Sequence, residues 1–421
     1  SRRAWRQSYT LQQATKPFEG RQAMHAVGVL QKLLQDSIPS LHLNRLRALI
    51  STVRSAMTTR RLTLSGLARG LPTGQAIRHR IKRVDRLLGN RHLHNERPLF
   101  YQLLCRQFMA QDKRPVILVD WSDLKADRSW LVLRAALWIR GAAVPIYESV
   151  HPLRDQNSPS VERSFLTQLK SLLPQGLRPI VVTDAGFRGP WFTYLNQLGW
   201  YWVGRIRGRT FLRSGDDPWR RCTADYARAN ARPSDLGEQE MIRSCPVQTR
   251  LVLYRKPPQQ GQALTQFKQR KRSSHSEVCA RRESEPWLLC ASPSLAEANA
   301  HEIVEVYRSR MSIECTFRSL KSHQFGFSFE DSQSAGAARL QILLLIHALV
   351  TFLLWLVGKL AESRKLRPAY ESNNRKDRRT ISLLTLGAMV YAERVLVLTE
   401  MSVLALLQTP LEAAGPVGES E

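Results

Sequence analysis

Pro115-Val116-Ile117-Leu118-Val119-Asp120 is an unbroken apolar, β-branched run that stops on a carboxylate. Arg178-Pro179-Ile180-Val181-Val182-Thr183-Asp184 repeats the pattern further along the chain. Runs of this kind fit central strands buried on both faces, as in α/β sheets. Functional groups in such sheets gather at the carboxyl ends of the strands. A carboxylate there costs desolvation energy unless it is paired or binds a cation. Taken singly, Asp120 and Asp184 read equally well as strand-end caps or as partners of local arginines.

Further strands are expected at Trp130–Trp138 and Ala143–Tyr147, with a short amphipathic helix at Phe165–Leu173. Trp200–Thr210 alternates, which predicts Tyr201, Val203, Arg205, Arg207 and Arg209 on one face of a strand. Those arginines form either a solvated edge or a phosphate-facing ribbon. From Arg213 to Pro286 the chain is polar and turn-rich, with a strand at Thr249–Tyr254 and a charge run at Lys268–Arg272. Glu285–Ala291 restores a strand.

Toward the N-terminus, Met24–Phe108 is helical in pattern. Leu62–Pro72 reads as a short helix ended by Gly70 and Pro72, and Gln75–Leu88 as a second. Ile77, Ile81, Val84 and Leu88 form the apolar seam of the second helix, and Arg78, Arg80, Lys82, Arg83 and Arg86 occupy its other faces. Two short helices with a basic second one resemble a helix-turn-helix unit. The alternative is the solvated basic face of a helical bundle. Residues 1–23 show no periodicity and read as a flexible extension.

Toward the C-terminus, Ala296–His323 is expected as one helix. Tyr307, Arg310, Glu314 and Lys321 sit at offsets 0, 3, 7 and 14. On an ideal helix all four fall within an arc of roughly 60°. One carboxylate is thereby set among two cations and a phenol. Leu340–Val357 is apolar and close to the minimum length of a membrane span. Its Gln341, His347 and Thr351, with globular-looking flanks, favour a buried core helix. Ile381–Leu407 is helical in pattern, and the tail from Thr409 reads as weakly ordered.

The chain of 421 residues carries 63 Lys+Arg against 35 Asp+Glu, a net charge of +28. Such an excess predicts a polyanionic partner, with nucleic acid ahead of an anionic membrane. A hydrophobic content of 43% argues against global disorder. The six cysteines are scattered without a C-x-x-C pair, which argues against a zinc-ribbon or redox motif. No G-x-x-x-x-G-K-[ST] or H-E-x-x-H run occurs, so nucleotide hydrolysis and zinc proteolysis lack motif support. Asp120, Asp184 and Glu314 together offer oxygen ligands, which select magnesium or manganese over zinc. Two such ions suit an in-line phosphoryl displacement.

These residues resemble a known group. Tyr307, Arg310, Glu314 and Lys321 reproduce the Y-(2)-R-(3)-E-(6)-K signature of bacterial insertion-sequence transposases of the DDE class. Val119-Asp120-Trp121-Ser122-Asp123, Asp184-Ala185-Gly186-Phe187 with Pro190-Trp191, and Arg86–His94 match further runs of that group. The likeness extends from about Met24 to Glu393; Met311 departs from it, since some members carry Trp there.

The resemblance implies an α/β fold: an RNase H-like catalytic core with a β-rich insertion, an N-terminal helical DNA-binding domain and a C-terminal helical region. The implied boundaries are 1–23 for the extension, 24–112 for the DNA-binding domain, 113–203 and 299–365 for the core, 204–298 for the insertion, and 366–421 for a C-terminal region with a possible role in dimerisation. It implies Asp120, Asp184 and Glu314 as catalytic ligands of two Mg2+ ions, with Mn2+ as substitute. Tyr307, Arg310 and Lys321 would grip DNA near the cleaved end, and Trp287 would stack on a flipped base. Arg205, Arg207, Arg78, Lys82 and Arg83 are the further candidate DNA contacts.

The implied function is a cut-and-paste transposase acting on terminal inverted repeats and target DNA through a hairpin. It would act as a homodimer in the bacterial cytoplasm, at the nucleoid and away from the membrane. The rival expectations are an RNase H-like nuclease or resolvase without strand transfer, and an inactive transposase-derived DNA-binding protein.

Overall fold

The computed structural model describes residues 26–109, 114–139, 142–208, 210–256, 285–324, 326–371 and 379–393, together with residues 402, 405 and 406. The expectations for residues 1–23, for Arg209, for Lys268–Arg272 and for the tail from Thr409 lie outside these residues.

The aliphatic runs do form strands. β1 (Val116–Asp123), β2 (Trp130–Ile139), β3 (Ala142–Pro152), β4 (Ile180–Thr183) and β5 (Tyr201–Ile206) are followed by β6 (Phe211–Arg213), β7 (Arg220–Arg221), β8 (Ser234–Met241), β9 (Val247–Tyr254) and β10 (Trp287–Ala291). All ten join one sheet in the order β3-β2-β1-β4-β5-β10-β9-β8-β6-β7. β1, β4 and β5 run parallel, and the other pairings are antiparallel. The strands after β5 therefore extend the sheet of β1–β5. β10 lies directly on β5, with Leu288 opposite Ile206 and Ala291 opposite Val203.

The helices are α1 (Ala26–Ser37), α2 (Leu43–Thr59), α3 (Leu64–Arg69), α4 (Ile77–Leu88), α5 (Arg91–Met109), α6 (Pro159–Leu172), α7 (Gly189–Gln197), α8 (Ala300–Arg308), α9 (Met311–Lys321), α10 (Ala337–Ser363) and α11 (Leu383–Glu393). The apolar run of Leu340–Val357 is the middle of α10, and its side chains are almost all buried. A helix apolar on every side needs partners all round. Here α1, α2, α4, α5, α11 and β3 supply them. α10 and α11 cross closely: a Cβ on Gly387 would lie 1.9 Å from the Leu354 carbonyl oxygen, and one on Gly358 would lie 2.2 Å from that of Leu383.

Four expectations need correction. Ala296–His323 is not one helix. Asn299 caps α8 with a reciprocal Glu302 bond, and the helix ends at Arg308. Ser309 and Arg310 then form a tighter turn, in which the amides of Arg310, Ser312 and Ile313 bond three residues back. The buried Ser309 hydroxyl donates to the Val306 carbonyl at 2.6 Å, which helps close that turn. The ideal-helix arc for Tyr307, Arg310, Glu314 and Lys321 therefore does not hold across the joint.

β5 stops at Ile206, so Arg207 lies beyond the strand that was expected to carry it. In α4 the seam is buried only at its C-terminal half: Val84 and Leu88 are buried, whereas Ile77 is 41% exposed. α6 begins at Pro159, more than a turn before Phe165, because Pro159 suits the first helical position. The polar strand β8 was not expected. It carries few apolar residues, and its order comes from pairing with β9 and β6 on its two sides.

Candidate active site

Period-two alternation and the register decide which side chains share a face of the sheet. Asp120 is opposite Arg134 and Arg134 opposite Glu148. Two strands further along, Leu289 is opposite Arg205, and Trp287 shares their face. α8 and α9 lie over this face, bringing Tyr307, Arg310, Glu314 and Thr316 down on it. Trp121 points to the other face. There its indole reaches Glu162 of α6 at 3.4 Å.

Arg310, in the turn between α8 and α9, links two of the acids. Its guanidinium lies 3.5 Å from Asp120 Oδ2 and 2.9 Å from Glu314 Oε1. Asp120 is pushed up to about 7 by burial and then by the negative charge of Asp184, with Glu314 adding a little; Arg310 opposes the rise. The Trp121 amide donates to Asp120 Oδ1 at 2.9 Å. Asp184 follows β4, and its Oδ1 accepts from the Gly186 amide at 2.8 Å, which fixes the turn. Asp120, which lies within β1 and not at the strand end the sequence suggested, thus senses the charges of Asp184, just after β4, and of Glu314 on α9.

Tyr307 is buried, and its ring centroid is 5.0 Å from that of Trp287, edge to face. Burial raises the Tyr307 phenol, and Arg310 and Arg205 counter it. Trp287 is half-buried and also meets Tyr254 at 5.8 Å.

Lys321 stands apart from Glu314. At the far end of α9 its Nζ donates to Ser122 Oγ at 3.0 Å, and burial lowers its ammonium below the usual range. Arg205 and Arg207 turn to Glu285. Arg205 donates to the Pro286 carbonyl at 3.2 Å, and Arg207 Nε donates to the Glu285 carboxylate at 2.7 Å.

Arg78, Lys82 and Arg83 lie elsewhere, on α4, and all three are exposed. Lys82, Arg83 and Arg86 line a groove against His42 and Arg45 at the start of α2. Arg80, by contrast, caps α3 through the carbonyls of Arg69 and Leu71.

Sequence reasoning missed Arg134, Glu148 and Glu162. Arg134 and Glu148 are completely buried and ion-paired at 2.6 Å. A charged residue within each of two apolar strand runs was the available signal. Glu162 is pushed up to about 7, chiefly by burial. It sits on the sheet face opposite the acids.

Among the described residues, no three His, Cys, Asp or Glu side chains stand close enough to hold a metal ion together. Asp120, Asp184 and Glu314 nevertheless fit a hard divalent cation by donor chemistry, because all their donors are carboxylate oxygens. The burial and the neighbouring negative charges that raise Asp120 also fit, since a cation among the acids would offset both. Arg310 is the positive charge that spans Asp120 and Glu314 here.

An α/β sheet with one acid within a strand, a second just after the neighbouring parallel strand, and a third on a covering helix, defines a class of carboxylate-centred α/β proteins. Within that class the chain belongs to the transposase DDE domain family, whose model matches residues 111–352. The matched stretch includes Asp120, Asp184 and Glu314 and more than half of the chain. No curated protein matches the chain. Family membership makes it a transposase with DNA as its partner, and transposases of this family generally depend on a divalent metal.

Proposed function

We propose that the chain is a cut-and-paste DNA transposase of the Y-R-E-K group, similar to the transposase of the tetracycline-resistance composite transposon. The carrying observation is that Arg310 joins Asp120 to Glu314 while Asp184 acts on Asp120 through its charge. The sheet order β3-β2-β1-β4-β5 supports an RNase H-like core.

In this reading Asp120, Asp184 and Glu314 hold two Mg2+ ions, or Mn2+ in their place. Bound there, the metal supplies Lewis acidity at the phosphorus and a water of lowered pKa. Arg310 neutralises the acids until a DNA phosphate competes for its guanidinium. Its Nε has no hydrogen-bond partner among the described residues, which leaves capacity for that exchange. Arg205 and Tyr307 lie on the same side of the sheet and flank the DNA end, and Lys321 beside Ser122 contacts the backbone further along. Trp287 offers a half-buried indole on which an extruded base stacks while a hairpin forms. Arg207 reaches the backbone after leaving Glu285.

Arg78, Lys82 and Arg83 bind the phosphates of the terminal inverted repeats. Two copies of the chain hold two ends, and the freed ends are joined to target DNA. The setting is the bacterial nucleoid, with no membrane attachment.

The test incubates the full chain with Mg2+ and a labelled duplex carrying the element's terminal repeats. Hairpin ends and joined products are expected. Nicking alone favours a nuclease or resolvase, and binding without cleavage favours an inactive derivative. Glu314→Gln is expected to lower the cleavage rate by about 100-fold or more. A variant that cleaves as fast as the parent removes Glu314 from the site.

A further inference from the structure

The buried Arg134 and Glu148 are used by nothing described so far. Arg134 is the cross-strand partner of Asp120, on the same face of the sheet and wholly buried. Its Nε donates to Glu148 Oε1 at 2.8 Å. Its Nη1 donates to Thr316 Oγ1 at 2.8 Å, and the guanidinium lies 4.6 Å from the centre of the Phe317 ring. Glu148 is fixed from behind: Tyr101 donates to its carboxylate at 3.3 Å, and Arg97 donates to its carbonyl at 2.8 Å and to Gln341 at 2.5 Å. One guanidinium thus ties β2 and β3, and through them α5 and α10, to α9.

A buried ion pair seldom adds much net stability, because desolvating both charges offsets their attraction. What this one offers is a rigid donor at a defined height above the sheet. Thr316 follows Glu314 by two residues, about 200° around the helix. It is therefore anchored on the buried side while Glu314 faces the acids. Thr316 accepts from Arg134 and donates to the Ile313 carbonyl at 2.7 Å, so both of its hydrogen-bonding roles are used. The need for an anchor follows from the turn at Ser309 and Arg310, which interrupts the helix just before α9. α8 does not by itself fix the rotation of α9 about its axis.

We propose that Arg134 is a positioning residue: through Thr316 it sets the rotation of α9, and so the distance of Glu314 from Asp120 and Asp184. The inference rests on the metal-site reading given above. Thr316→Val keeps the shape and removes the acceptor, whereas Thr316→Ser keeps the hydroxyl. Mn2+ binding to the full chain, followed by paramagnetic resonance, reads the site without requiring catalysis. DNA affinity and melting temperature are measured in parallel.

Thr316→Val is expected to weaken Mn2+ binding about tenfold, with DNA affinity unchanged, while Thr316→Ser binds as the parent does. Equal Mn2+ binding by the valine variant and the parent overturns the proposal. So does a loss shared by the serine variant, or one that tracks the melting temperature and DNA affinity alike. If the parent itself takes up no Mn2+, the metal-site reading fails and this inference falls with it. If the parent binds Mn2+ and the valine variant binds equally well, only the role of Arg134 is lost.

Discussion

Glu162 shows how far a single residue reports its surroundings. Its carboxyl lies on the sheet face away from the other acids, against the Trp121 indole, and burial raises it to about 7. A folded-state value above the unfolded one favours the protonated form in the fold. The stabilising contribution is then complete below about pH 4.5 and is lost as pH rises through about 7. Glu162→Gln removes the ionisation. It is expected to raise stability at pH 8 by up to about 3 kcal/mol and to change little at pH 4, as read by denaturant melts at the two values.

At this scale the sequence told much about the acids and little about their neighbours. Asp120 and Asp184 stood out because each ended an apolar run, and Glu314 because cations surrounded it. That Arg310 would reach two acids at once depends on the turn at Ser309, which periodicity does not reveal. Arg134 was hidden for a different reason. One charge in an apolar strand is a visible signal, but its meaning is legible only once its buried partner on the next strand is known.

Elements were most legible where one physical rule dominated. The aliphatic strands and the apolar α10 follow from burial alone. β8 was not legible, because its order comes from neighbouring strands rather than from its own polar residues. α8 and α9 were read as one helix because Tyr307, Arg310, Glu314 and Lys321 keep helical offsets across the joint. Only the hydrogen bonds of residues 309–313 separate them.

For α4, the exposed Arg78, Lys82 and Arg83 are the proposed phosphate contacts. Changing all three to Gln is expected to lower the slope of log affinity against log salt by about 3, roughly one per contact. Binding titrations at several salt concentrations check this, and an unchanged slope removes α4 from the interface.

For the molecule as a whole, α10 is the element that the N-terminal helices, β3 and α11 share. The contact with α11 tolerates no side chain at Gly387, where a Cβ would meet the Leu354 carbonyl oxygen. Gly387→Ala is therefore expected to force the two helices apart and to cost about 1–3 kcal/mol, seen as a lower denaturation midpoint. The order of the sheet was not legible in the sequence. Nothing in the separate strands says that the polar stretch after Ile206 returns to lie against β5.

That return has a consequence for how such chains diversify. The excursion from residue 207 to residue 286 sets out from β5 and returns on the neighbouring β10, about 4.8 Å away, and its own strands β6–β9 continue the same sheet beyond β10. Its two ends meet as the legs of a hairpin do. Material can be gained or lost within it without changing the span that the rest of the sheet must bridge, and Asp184 before it and Glu314 after it keep their places.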